Sequence, residues 1–226
     1  MLGLSILAYS QTIQEANVID IIEQEMLFCE YYETANIEHR NLTDQVIREV
    51  LYHDTRSNVL CLTPHAGCGK TFTQTAIIHK LNLLNLCCIA TVFSGIASTT
   101  LLGGRTLHNV FKLSIPILEN SVANITANSS YGRYINSSSL IIIDEVSMCP
   151  LQVLKIVDRL LRDLCHENTK RKPFGGKQNF CDFRQILPVI PHGSRGTLIQ
   201  KCVTSWHEFP YFYKITFTQN MRALPN

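Results

Sequence analysis

A chain of 226 residues, 46% of them hydrophobic, can build one α/β domain with an appendage but is too short for two full domains of that class. Its nine cysteines are odd in number and form no Cys-x-x-Cys pair, which disfavours a disulfide framework or a zinc site and favours buried free thiols in a reducing compartment. The net charge of +2 hides an asymmetry: residues 1–39 hold seven acids and no Lys or Arg, while residues 40–226 hold all 20 cations against the other 11 acids, a balance of +9 that suits a polyanionic partner as well as an ordinary solvated surface.

The apolar start, Met1 to Tyr9, has no basic flank and so does not read as a secretory signal; no apolar run reaches the length of a membrane span. In residues 11–35, Ile13, Ala16, Ile19, Ile22, Met26 and Cys29 recur at helical spacing with acids between them. That pattern predicts an acidic amphipathic helix covering part of the core, within an N-terminal segment of residues 1–40. A second helix is predicted over residues 41–51, capped by Asn41 or Thr43. It carries Gln45, whose amide offers the donor and acceptor that an adenine edge requires, although the residue alone reads as a surface glutamine.

The apolar run Val59–Leu62 leads into Thr63-Pro-His-Ala-Gly-Cys-Gly-Lys-Thr-Phe72 and then a helical run to Leu84. Strand, tight loop and helix in that order form a phosphate-binding P-loop. Gly67 and Gly69 let the amides of Ala66, Gly67, Cys68 and Gly69 converge on an anion that also faces the helix N-terminus. Lys70 would reach the β- and γ-phosphates, and the Thr71 hydroxyl would take one position on Mg²⁺. The full motif has glycine where Pro64 stands, so a somewhat weakened loop geometry is expected.

Residues 86–93 read as a second buried strand, followed by Ser94-Gly95-Ile96-Ala97 and by Gly103-Gly104-Arg105-Thr106-Leu107-His108. Val110-Phe111-Lys112-Leu113 comes next, and glycines beside Arg105, His108 and Phe111 could lie along a nucleic-acid backbone and stack one base, although taken alone a loop and a core Phe are the stronger reading. Residues 118–139 are rich in Asn and Ser and read as a surface excursion. In Leu140-Ile-Ile-Ile-Asp144-Glu145, an apolar strand delivers two carboxylates at its C-terminal end, where α/β folds place ligands. Asp144 can hold Mg²⁺, and Glu145 is placed to orient and deprotonate a water. Beyond Pro150, Leu151, Leu154, Val157, Leu160, Leu161 and Leu164 make one face of a packing helix. Lys170-Arg-Lys172 then precedes Pro173-Phe-Gly-Gly-Lys177.

Taken together with Asp182-Phe-Arg-Gln-Ile-Leu-Pro-Val189 and Thr218-Gln-Asn-Met-Arg222, these motifs resemble the Pif-one-like DNA helicases of superfamily one, nearest to their eukaryotic and Helitron-transposon branch. The resemblance runs from about Gln45 to Ala223. It implies an α/β, three-layer P-loop NTPase fold: a RecA-like parallel sheet over residues 41–226 with helices on both faces, plus the helical N-terminal appendage. It also implies ATP and Mg²⁺, 5′-to-3′ translocation on single-stranded DNA, roles in repair, recombination and telomere maintenance, and a nuclear or mitochondrial location. By position, Gln45 would read adenine, Gln185 would sense the γ-phosphate and Arg222 would place a guanidinium on it. Asp144 and Glu145 would form the second motif, and Phe93, Ser94, Gly95, Arg105 and His108 would face DNA.

The sequence departs from that family twice. Only Gln178-Asn-Phe-Cys181 separates Lys177 from Asp182, where relatives carry a longer strand in the middle of the sheet. Four residues span about 13 Å, which would put Gln185 out of register with the γ-phosphate. The sequence also stops at Asn226, so a second RecA-like lobe, if needed, must come from elsewhere. The expectation is then weak ATP binding, slow hydrolysis and no unwinding by this lobe alone. A rival reading is a non-catalytic nucleic-acid-binding module derived from a transposon helicase; a small kinase is disfavoured by the Asp-Phe-Arg-Gln motif.

Overall fold

Unbroken apolar runs, rather than alternating ones, call for strands covered on both faces, and the computed structural model has that arrangement. It describes residues 20–53, 57–63, 67–118, 120–183, 188–189 and 193–221. Six strands, β1 (Val59–Leu62), β2 (Cys88–Val92), β3 (Arg105–Thr106), β4 (Leu140–Asp144), β5 (Asn179–Asp182) and β6 (Tyr213–Ile215), form one sheet in the order β3-β2-β4-β5-β1-β6. Every neighbouring pair is parallel.

Strand alternation divides the core in two. Val59, Cys61, Ile89, Ile141, Ile143 and Cys181 pack with Leu154, Val157 and Leu161 of α6 (Leu151–Leu164). Leu60, Leu62, Val92, Ile142 and Phe180 pack on the other side with Leu42 and Val46 of α2 (Ile37–Tyr52) and Ile77 and Leu81 of α3 (Lys70–Leu83). The α/β, three-layer reading is therefore observed. No helix among the described residues is long and apolar enough to cross a membrane.

The short strand is the middle strand. All four residues of β5 pair with β1, from Val59↔Asn179 to Leu62↔Asp182, and β5 also pairs with β4. Because β1 is itself four residues long, their ends match, and Asp182 belongs to the strand rather than to the loop after it. The polar residues sit at its start, where Gln178 O accepts Ile141 N–H at 3.0 Å and Asn179 Nδ2 donates to Lys177 O at 2.6 Å.

Three helix expectations are corrected. Helix α2 starts four residues earlier than predicted and crosses residue 40, because Asn36, rather than Asn41 or Thr43, accepts the His39 N–H and caps it. Helix α1, residues 20–34, lies on α3 by the face opposite to the predicted stripe. Tyr31 meets Phe72 at 5.0 Å between ring centroids, Lys80 Nζ sits 4.7 Å from the Phe28 ring centroid, and His79 Nδ1 bonds Gln24 Oε1 at 2.8 Å. Ile22 and Met26 are left exposed, while the rings of Phe28 and Tyr31 meet a cation and an imidazole on α3. Finally, the Asn/Ser-rich excursion contains a helix of its own, α5 (Ser130–Ser137), capped by Ser129 and anchored by the buried Ile135. The remaining short helices are α4 (Leu107–Val110) and α7 (Arg195–Lys201). The predicted helical residues 11–19, and Pro64, Ala66, Gln185 and Arg222, lie outside the described residues.

Candidate functional site

Parallel strands all end at the same edge, and neighbours lie about 4.8 Å apart. The C-terminal tips of β2, β4, β5 and β1 therefore form a row: Val92, Asp144, Asp182 and Leu62. Beyond β1 comes the phosphate loop, and beyond β4 comes Glu145.

The loop geometry explains its glycines. Gly67 has φ 84° and Gly69 φ 69°, and a Cβ on Gly69 would stand 2.7 Å from His39 Cε1. Only glycine fits there. Helix α3 begins at Lys70 with no side chain capping its first turn and no acid in it, so its leading N–H groups and dipole are available to an anion.

Lys70 is buried, and its Nζ lies 3.3 Å from Asp182 Oδ2. Burial, together with a hydrogen bond to Asp144, pushes the Asp182 carboxyl up to about 8 despite the Lys70 ammonium. Between about pH 4 and about pH 8 the folded chain thus holds a proton that the unfolded chain has released, so this contribution to stability is present at low pH and is lost as pH rises through the folded value. Asp182→Asn is expected to flatten that decline, as read from urea midpoints at about pH 5 and about pH 8.

At the β4 tip, Glu145 adopts a left-handed conformation (φ 57°, ψ 34°), and its N–H donates to Asp144 Oδ1 at 2.9 Å. A non-glycine residue in that region carries a cost of about 1–2 kcal/mol, which the surrounding contacts offset. Ser94 Oγ donates to Glu145 Oε2 at 2.8 Å. The groups that could hold a divalent cation here are the Thr71 hydroxyl and the Asp144 carboxylate. This oxygen-only set fits a hard cation that keeps waters and phosphate oxygens as its other ligands; among the described residues no cluster of three His, Cys, Asp or Glu offers a softer site.

The nucleic-acid candidates lie along the same edge toward β3. Phe93 and His108 meet at 5.9 Å between ring centroids, and Arg105, exposed on the edge strand, donates to Tyr134 Oη at 3.3 Å. Burial holds the His108 imidazole below its usual range. Gly95 is exposed, with open space around the position of a Cβ.

Three participants were missed in the sequence. His39 Nε2 bonds Cys68 O at 2.9 Å and its ring meets Phe217 at 4.8 Å between centroids, tilted by 59°, bracing the loop from behind; burial holds this ring below the usual imidazole range. Gln45, six residues further along α2, donates to Glu49 Oε1 at 2.9 Å. Glu38 accepts from the Thr218 hydroxyl and from the Thr218 and Gln219 amides, and these bonds hold its carboxyl below the usual range. Met221 N–H then donates to Gly67 O at 3.0 Å, tying the Thr-Gln-Asn-Met segment to the phosphate loop. Asp182 had a signal, an acid at the head of the Asp-Phe-Arg-Gln motif. His39 had none.

A family model described as PIF1-like helicase matches residues 34–226. The chain is 34% identical over 146 residues to an ATP-dependent DNA helicase Pif1 of Psychrobacter sp. (strain PRwf-1), a match covering 63% of this chain and 21% of that protein. It is 30% identical over 176 residues to one of Bdellovibrio bacteriovorus, covering 73% and 36%. Among solved structures, Bacteroides Pif1 bound to single-stranded DNA aligns with TM-score 0.60 and 25% identity, covering 84% of this chain and 43% of that one. Pif1 helicase from Candida albicans aligns with TM-score 0.65 and 22% identity, covering 83% and 40%. This chain thus spans between a fifth and under half of the length of these relatives.

Proposed function

The chain belongs to the PIF1-like helicase family, and on that premise we propose that it forms an ATP-hydrolysing lobe of a DNA helicase that engages single-stranded DNA and tracks it 5′ to 3′. The observation that carries this reading is the row at one sheet edge: a glycine-built anion cradle with Lys70, then Asp182, then Asp144 and Glu145. It is supported by the names of the relatives, which are ATP-dependent DNA helicases, and by a Bacteroides Pif1 crystallised with ADP-AlF₃ and single-stranded DNA.

Lys70 and the amides of residues 66–69 hold the phosphates. Gln45 meets adenine. Glu145 draws a proton from the attacking water while Gln185 and Arg222 contact the γ-phosphate. Thr71 and Asp144 hold Mg²⁺, which when bound neutralises phosphate charge. Phe93, Ser94, Gly95, Arg105 and His108 meet the DNA. We further propose a role in repair, recombination and telomere maintenance, in the nucleus or, alternatively, the mitochondrion.

The test is single-turnover hydrolysis of ATP with and without oligothymidylate. DNA-stimulated turnover is the expected result. Salt-sensitive DNA binding with no turnover would instead make this lobe a nucleic-acid-binding module, and absence of both would overturn the reading.

A further inference from the structure

The loop after β2 and the acidic tip of β4 share one hydrogen bond, and it joins the DNA-facing surface to the hydrolytic one. Ser94 Oγ donates to Glu145 Oε2 at 2.8 Å and accepts Ala97 N–H at 3.3 Å. The two residues are 51 apart in the chain and meet because β2 pairs with β4, Val92 opposite Asp144. A hydroxyl has a single proton to donate. While Ser94 gives it to Glu145, it cannot give it to a DNA phosphate. While Glu145 Oε2 is turned to the Ser94 hydroxyl, it is not turned to a water. The loop has room to change partners, since Gly95 borders open space and Ile96 is 87% exposed.

We propose that Ser94 is a positioning residue that parks Glu145 until single-stranded DNA seats on the loop of residues 93–97. A backbone phosphate then takes the Ser94 hydrogen bond, and Glu145 Oε2 turns to the attacking water. This rests on the DNA reading above and adds the device by which DNA switches on hydrolysis.

Coupling of this kind is reciprocal. If DNA breaks the Ser94–Glu145 bond, then removing the bond must tighten DNA binding, with no nucleotide and no turnover involved. The measurement is fluorescence anisotropy of a labelled oligothymidylate with the nucleotide-free chain. Glu145→Gln keeps an oxygen for Ser94 while removing the charge, so it serves as the reference for Glu145→Ala. Relative to Glu145→Gln, Glu145→Ala is expected to bind about tenfold more tightly, and this difference is expected to vanish when either change is combined with Ser94→Ala. Ser94→Thr, which keeps the hydroxyl, is expected to restore it. Equal affinities of Glu145→Ala and Glu145→Gln, or a difference that survives Ser94→Ala, would overturn the proposal. A wild-type chain that binds ATP but not the oligonucleotide would overturn the DNA reading itself, an outcome distinct from lost coupling.

Discussion

Lys70→Ala is expected to abolish the heat of ATP binding in calorimetry at millimolar nucleotide and to lower single-turnover hydrolysis by about 10²–10³-fold. The ammonium directly follows the glycine cradle, 9% exposed and 3.3 Å from Asp182 Oδ2. In a site so poor in water, a phosphate charge that loses this partner is not recompensed by solvent. The fold is expected to survive, because Asp182 is already pushed up to about 8 and, without the lysine, takes a proton more readily still. DNA affinity, read from the oligonucleotide assay, is expected to stay near wild type. ATP heat that persists in the variant would remove the phosphate role from Lys70.

Glu145→Gln is expected to separate binding from chemistry. ATP heat should remain, while the hydrolytic step slows by about 10²–10⁴-fold, the usual contribution of a positioned base. The substitution is close to isosteric, and the amide oxygen can still accept from Ser94, whose hydroxyl lies 2.8 Å from Glu145 Oε2 in the native chain. What is lost is the ability to take a proton from water. Rapid-quench measurement of product formation, beside calorimetry, checks both halves. Unchanged hydrolysis would show that another group activates the water.

Much of this architecture was legible because local chemistry dictates it. Val59–Leu62 and Leu140–Asp144 could only be covered strands, and the leucine face of α6 could only be buried. The α1 orientation was not legible. Ile22 and Met26 have helical spacing, but Phe28 and Tyr31 found a cation and an imidazole on α3, partners no local pattern reveals. The same holds for Asn36, whose value as a cap depends on where the helix before it ends.

By itself, the order of residues determined which groups carry the chemistry: the glycines and Lys70 after one strand, Asp144 and Glu145 after another. These are written within single turns of chain, where backbone conformation and side-chain type are settled by neighbours a few residues away. Only the tertiary structure decided how those groups meet. Inserting β5 between β1 and β4 puts Asp182 between Lys70 and Asp144. Pairing β2 with β4 brings Ser94 to Glu145, while Glu38 holds the Thr218 segment to α2 and Met221 ties it to the phosphate loop. Strand order is set by how buried area is shared across the whole sheet, a non-local quantity, so the contacts that tune the site exist only once the chain has closed on itself.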